Sequence, residues 1–328
     1  MNKAKIIGIG SYVPERVLSN QDLEKMVDTS DEWIVTRTGM KNRRIAAQDE
    51  FTSDMGAKAA EKALEDAGLT PNDIDFILVA TLTPDYIFPS TACLIQEKLG
   101  LSKVGACDVQ AACTGYLYAL SLAKALVESG AYKNILVVAS EKLSSIVDYT
   151  DRSTCVLFGD GAAASVVSSQ KKGYVLEKIS LGSDGGQADL LMLPAGGCKN
   201  PATKETVEKK MHYIKMAGNE VFKHAVRRME SASKQCLESL SLEEKDINWV
   251  IPHQANERII DAIAKRFEHL DPSRIVKTVK DFGNTSCSSI GLALDVLAKK
   301  NAIQSGDKIL MTAFGSGFTW GAGILTKE

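Results

Sequence analysis

The amino-acid sequence predicts an α/β fold built from two similar halves. Three observations lead there. Apolar, strand-like runs alternate with helical patterns, an internal repeat recurs at an offset of about 173 residues, and no low-complexity linker divides the chain into hinged parts.

The strand-like runs are "DFILVATL", "NILVVASE", "NWVIPHQ" and "KILMTAFGSG". The segments "MGAKAAEKALEDAG" and "ALSLAKALVESG" carry apolar residues at helical spacing. Alternation of this kind favours largely parallel strands with both faces buried. In the repeat, "ALEDAGLTPNDIDFILVA" lies without a gap over "CLESLSLEEKDINWVIPH", pairing Leu64 with Leu237, Leu69 with Leu242, Asp73 with Asp246 and Ile74 with Ile247. At nearly the same offset "ACTGYLYAL" lies over "SCSSIGLAL" and "NILVVASE" over "KILMTAFG". The expected halves are 1–172 and 173–328, joined near Lys171 to Tyr174 and packed as one layered unit. The Gly-rich stretch from Gly182 to Pro201, interrupted by Pro194, reads as loop.

A chain of 328 residues, 45% hydrophobic and 24% charged with a net charge of −2, suits a globular protein with a sizeable core. It lacks the basic footprint of a nucleic-acid partner. The opening "KIIGIGSYVP" is not a signal peptide, and no apolar run approaches the ~20 residues that span a bilayer, so a cytoplasmic location without a membrane partner is expected. Seven dispersed cysteines without a CxxC pair argue against disulfides and against a metal site.

One of those thiols stands apart. Cys113, in "VQAACTGYLYAL", falls where a strand becomes a helix, and unpaired N–H groups at a helix N-terminus favour thiolate near neutral pH. Ala111, Ala112 and Gly115 leave room there for an acyl chain. Cys287 occupies the same turn of the second half, so position alone does not separate the two. Of four histidines, His212, His224 and His269 lie in charged, helix-like surroundings. His253 follows the apolar "NWVI" at the carboxyl end of a strand, where open α/β sheets place ligands, although a lone histidine there serves packing as readily as chemistry. Asn284, in "FGNTSCSS", sits in the turn before the second-half helix, a common place for a capping residue.

Taken together, "ACTG", "PHQAN", "GNTS" and "FGSGFTWG" in this order resemble the β-ketoacyl-[acyl-carrier-protein] synthase III family of the thiolase superfamily. The resemblance covers nearly the whole chain, through "IGIGSYVPERVLSN", "SDEWIVTRTGM", "FGDGAA" and "MAGNEVFK". It implies a thiolase-like, five-layered αβαβα fold, a homodimer, and a reaction that joins a short acyl-CoA primer to malonyl-ACP, with no cofactor beyond these substrates. A Cys113 acyl-enzyme is implied, with the Cys113 and Ser316 amides as oxyanion donors and His253 and Asn284 as donors to the enolate left by decarboxylation. Some members carry Gly where Ser316 stands, which matters only if that position needs positive φ. Cys287 replaces a small residue common in the family and reads as packing.

The same resemblance marks binding residues. Trp33 is similar to the residue that stacks on the adenine of CoA, with Arg37 and Arg152 beside it for base and phosphates. Asn219 is expected to hold the pantetheine arm, and Phe88 to cross the dimer interface into the partner's primer pocket. Lys223, Arg258, Lys265 and Arg266 are expected to dock acidic acyl carrier protein, the last three along the helix predicted from "NERIIDAIAKRF".

Other readings fit less well. An acyltransferase acting on oxygen or nitrogen would keep Cys113 but need Asn284 less. Type III polyketide synthases share Cys, His and Asn but are longer and use CoA extenders. A non-catalytic thiolase-fold scaffold typically lacks the nucleophile, and the repeat opposes a cysteine protease.

Overall fold

The computed structural model describes residues 3–328. Nine strands hydrogen-bond in a row: β1 Lys5–Tyr12, β2 Phe76–Ala80, β3 Gly105–Val109, β4 Asn134–Glu141, β5 Gly161–Ser168, β6 Tyr174–Ser183, β7 Trp249–Pro252, β8 Lys308–Gly315 and β9 Thr319–Lys327. Their spatial order is β7-β8-β9-β6-β1-β5-β4-β2-β3. The central contact, β1 with β6, is only two pairs long, Lys5↔Val175 and Ile6↔Tyr174. To either side of it, β5, β4 and β2 in the first half mirror β9, β8 and β7 in the second, and β3 adds an extra edge to the first.

The helices that matter are α1 Asp31–Thr38, α2 Thr52–Ala67, α3 Thr91–Lys98, α4 Gly115–Glu128, α5 Gly218–Glu238, α6 Glu257–Ala264 and α7 Ser288–Lys299. Helix α2 packs on the outer face of the first sheet half, α5 on the outer face of the second, and α4 and α7 lie between them. This is the five-layered αβαβα arrangement. Strand alternation divides each apolar run between two cores. Ile77, Val79, Leu136 and Val138 face α2, whereas Leu78, Ile135 and Val137 face α4 and α7. In the second half Val250 and Leu310 face α5, whereas Ile251, Ile309 and Met311 turn inward.

The repeat extends to backbone detail. Ile74 and Ile247 share φ −88° and ψ 132°, each after a one-turn 3₁₀ helix opened by a capping box. Ala112 and Ser286, each preceding a cysteine, both take left-handed φ, +46° and +52°. The expectation of a largely parallel sheet is not met: only β2–β3, β2–β4 and β7–β8 are parallel. Helices cover both faces of these strands, so they read as continuous apolar runs whatever their direction, and the pattern carries no sign of it. The Gly182–Pro201 segment is less irregular than expected, because it holds the end of β6 and the strand Leu191–Met192, which pairs with Lys215–Met216.

The central layer sets the stability. Leu117 on α4 is fully buried, so Leu117→Ala should cost about 2–5 kcal/mol in denaturant unfolding. Val207, exposed in a surface helix, should change stability by less than about 0.5 kcal/mol when replaced by Ala. Equal midpoints for the two variants would contradict this layering.

Candidate active site

Cys113, His253, Asn284 and Gly315 line one cavity of about 100 Å³, walled by Leu157, Phe158, Leu191, Met216, Phe222, Met229 and Phe314. Each arrives from a different segment. Cys113 lies in the one-turn 3₁₀ helix Ala112–Thr114 between β3 and α4, behind the left-handed Ala112. The Ala111 carbonyl accepts hydrogen bonds from Thr114 Oγ1 (2.6 Å) and Thr319 Oγ1 (3.0 Å), tying this elbow to the start of β9. Gly315 closes the other side. A Cβ there would lie 2.7 Å from the Cys113 nitrogen, so only glycine lets the β8 turn approach it. Gly317, at φ +136°, takes the turn's positive-φ position. Ser316 has no positive φ, its side chain is accommodated, and its Oγ donates to the Leu191 carbonyl.

His253 continues β7, its N–H donating to the Thr312 carbonyl at 2.8 Å. Burial pushes its imidazole down to about 3, so it is neutral. Ser289 Oγ lies 2.7 Å from Nδ1 and accepts from the Gln254 N–H at 3.4 Å, and in the tautomer where its hydroxyl donates to Nδ1 that nitrogen carries no proton. The ring proton then sits on Nε2. Asn284 is clamped by its backbone, donating to Leu157 O (2.8 Å) and accepting from Gly159 N (3.0 Å). Its Oδ1 accepts from Ser286 N at 2.8 Å, so the free end of the side chain is the Nδ2 donor.

The surroundings of Cys113 work against the thiolate expected there. Cys113 is half-buried, and burial chiefly pushes its thiol up to about 12. Ser286 Oγ, donating to Sγ at 3.4 Å, works against that rise, and the nearby Glu141 adds to it. Cys287 does not line the cavity. Its thiol donates to Ala80 O (3.2 Å) and Glu141 Oε1 (3.1 Å), and burial drives it well above the usual thiol range. All seven cysteines are free thiols. Among the described residues no cluster of three His, Cys, Asp or Glu could hold a metal ion, and no helix is long and apolar enough to cross a membrane.

Comparison with known proteins supplies the family. The model for 3-oxoacyl-[acyl-carrier-protein (ACP)] synthase III matches residues 107–185, and the model for its C-terminal part matches 237–327. The β-ketoacyl-[acyl-carrier-protein] synthase III of Chlamydia caviae is 60% identical over 328 residues, covering 100% of this chain and 98% of that one. The chain belongs to the 3-oxoacyl-[acyl-carrier-protein] synthase III family. The synthase III of Caldanaerobacter subterraneus is 50% identical over 98% of this chain and 97% of its own. The crystal structure of the synthase III from Aquifex aeolicus superposes with a TM-score of 0.90 at 46% identity, covering 98% of this chain and 99% of that one.

Elsewhere in this synthase III chain, the guanidinium carbons of Arg37 and Arg152 lie over the Trp33 indole, 4.8 and 4.9 Å from a ring centroid. Arg152 is held there by the Asp28 carbonyl (2.7 Å). Asn256, the N-cap of α6, donates to Arg37 O at 3.1 Å and so ties α1 to α6. Asn219 is exposed at the start of α5, next to Gly218 of the cavity wall. Arg258 lies over Phe222, 5.3 Å from its ring, beside the exposed Lys223. The helix expected through Phe267 ends at Ala264. Lys265 and Arg266 follow in a tightened 3₁₀ turn, and Arg266 pairs with Glu244 at 3.5 Å. Phe88 is 85% exposed and does not line this chain's own cavity.

Sequence reasoning missed Ser289 and Ser286, which orient His253, Asn284 and Cys113. They sit in a run of small polar residues that reads only as a helix cap. The raised thiol gives a direct test. Alkylation of Cys113 by iodoacetamide should climb about tenfold per pH unit from 7 to 9 without levelling, because the reactive thiolate grows until pH reaches the thiol's own value. A plateau below pH 8 would mean a poised thiolate instead.

Proposed function

We propose that Cys113, His253 and Asn284 divide between them the condensation that this family catalyses. That reaction joins an acyl-CoA primer to malonyl-ACP, releases CoA and carbon dioxide, and begins fatty acid biosynthesis. Cys113 attacks the primer thioester, its thiol proton leaving as the carbonyl carbon is bonded. The Cys113 and Ser316 amides meet the oxyanion, and CoA departs as the thiol. Malonyl-ACP follows. Its carboxylate leaves as carbon dioxide, the enolate oxygen is met by His253 Nε2–H and Asn284 Nδ2–H, and the enolate carbon attacks the Cys113 thioester, breaking its C–S bond so that the Cys113 sulfur takes a proton from solvent and is restored as the thiol. The product is 3-oxoacyl-ACP.

One observation carries this reading: both enolate donors have their acceptor atoms already engaged. Ser289 occupies His253 Nδ1 and Ser286 N–H occupies Asn284 Oδ1, so only donors are left free. A neutral imidazole and an amide suit an anion that forms and disappears within one turnover.

For the substrates, we assign the CoA adenine to the Trp33 indole, where it exchanges with one of the guanidiniums of Arg37 and Arg152. The pantetheine arm passes Asn219. Acyl carrier protein docks at Lys223 and Arg258, with Lys265 and Arg266 extending the patch. The enzyme works in the cytoplasm as a homodimer of chains with halves 1–172 and 173–328. The unpaired edge strand β3 and the exposed Tyr86, Ile87 and Phe88 supply the surface that a second copy covers, Phe88 reaching the partner's primer pocket.

His253→Ala and Asn284→Ala should each slow carbon dioxide release by a hundredfold or more, about 3 kcal/mol, while acyl-enzyme formation from radiolabelled primer falls far less. The label should map to Cys113 and never to Cys287. Poor loading with normal decarboxylation would reverse the roles. Arg258→Glu should raise the KM for malonyl-ACP and flatten its salt dependence, leaving acyl-CoA loading nearly unchanged. Matching losses in both assays would remove the docking assignment.

A further inference from the structure

Arg43 is fully buried, yet among the described residues no carboxylate lies within 4 Å of its guanidinium. Burial lowers it to about 10. An unpaired buried cation costs stability that a neutral side chain of similar length would not, so its contacts matter. Its Nε donates to the Val156 carbonyl at 2.9 Å, and Nη2 donates to the same oxygen. Nη1 donates to Asn20 Oδ1, and Asn20 in turn donates to Asp31 Oδ1 (2.7 Å) and the Met40 carbonyl (2.9 Å).

Val156 leads directly into the segment that clamps Asn284. The next residue, Leu157, accepts the Asn284 N–H, and Gly159 donates to the Asn284 carbonyl. On the other side, a Cβ on Gly283 would lie 3.0 Å from Arg43 Cγ and 2.9 Å from Leu157 O, and Gly283 has φ +66°. The Arg43 stem therefore packs against the residue preceding Asn284, while its head holds the turn that leads into the segment bridged to Asn284.

We propose that Arg43 is a positioning residue for the decarboxylation step: it fixes Asn284 Nδ2 at the point where the enolate oxygen forms. The inference rests on the reading of Asn284 as an enolate donor. Misplacing a preorganised donor by about 1 Å is enough to cost on the order of a hundredfold in rate.

The test separates the half-reactions. Arg43→Met should lower carbon dioxide release from malonyl-ACP by about tenfold to a hundredfold, with primer loading kept within about threefold. In the Asn284→Ala background the same substitution should cause no further loss of decarboxylation. Equal losses in loading and decarboxylation, or losses that multiply with Asn284→Ala, would overturn the proposal in favour of a merely structural arginine. Should Arg43→Met fail to fold, Arg43→Lys decides the matter. It keeps the stem and the charge but cannot serve Val156 and Asn20 together, so a smaller loss confined to decarboxylation is expected, and a parallel fall in both steps sinks the idea. If Asn284→Ala alone spares carbon dioxide release, the enolate reading fails and takes this inference with it. A damaged Asn284→Ala beside an unaffected Arg43→Met removes the inference alone.

Discussion

The active end of the molecule depends on one constraint: α4 and α7, buried between the two sheet halves, must begin at the same place. The packing there leaves no slack. A Cβ on Gly115 would lie 3.0 Å from the Ala80 Cβ and 3.4 Å from the Cys287 Cβ, and one on Gly291 would lie 2.6 Å from the Ala163 Cβ. Close-packed interiors do not let a helix slide by a fraction of a turn. Cys113, just ahead of α4, and Asn284, just ahead of α7, are therefore fixed relative to each other by the core itself. His253 and Ser316 are carried by the ends of β7 and β8, which are parallel neighbours in register. The preorganisation that transition-state stabilisation needs is thus a by-product of burying the central layer.

That burial acts in opposite directions on the two proposed half-reactions. It keeps His253 neutral and its donor aimed, and it excludes water that would screen an enolate. It also keeps Cys113 protonated, with the buried Glu141 adding to the effect. The first step must therefore obtain its thiolate as the substrate arrives, drawing on the N–H groups ahead of α4, the Ser286 hydroxyl and the backbone oxyanion donors. A cavity tuned for the first step alone would be wetter and more positive. This burial suits the second of the two proposed steps.

Much of this was legible in the sequence. Helices α2 and α4 and the strands β2, β4, β7 and β8 follow from apolar patterning, and α7 from the repeat, because burial on two faces leaves a strong signal. Cys113, His253 and Asn284 each fall at the end of such an element, but that is a weak signal taken singly, and it was the resemblance of "ACTG", "PHQAN" and "GNTS" as a set that singled them out. Strand direction was not legible, since strands covered on both faces look alike either way. Nor was the state of the Cys113 thiol, because a position before a helix says nothing of how dry its surroundings are. Arg43 and Ser289 escaped for a related reason. Each acts through partners more than thirty residues distant, Val156 and His253, and no local pattern records that.

The two halves share an elbow, and the difference between the elbows is where the chemistry arises. Ala112 and Ser286 take the same left-handed turn, and a cysteine follows each. In the first half the cysteine meets the cavity, opposite a Gly315 that has no side chain to block it. In the second the thiol turns inward to the Ala80 carbonyl and to Glu141, while the residue before the turn, Asn284, faces the cavity instead. Glu141 helps hold this apart. Its other oxygen accepts from Thr83 N, Thr83 Oγ1 and Leu82 N, so the carboxyl is pinned and its free side is taken by the Cys287 thiol. One scaffold, used twice, thus offers the proposed nucleophile from one copy and the proposed enolate donor from the other. Two identical elbows would have placed two thiols at the cavity and left nothing there to meet an enolate but His253.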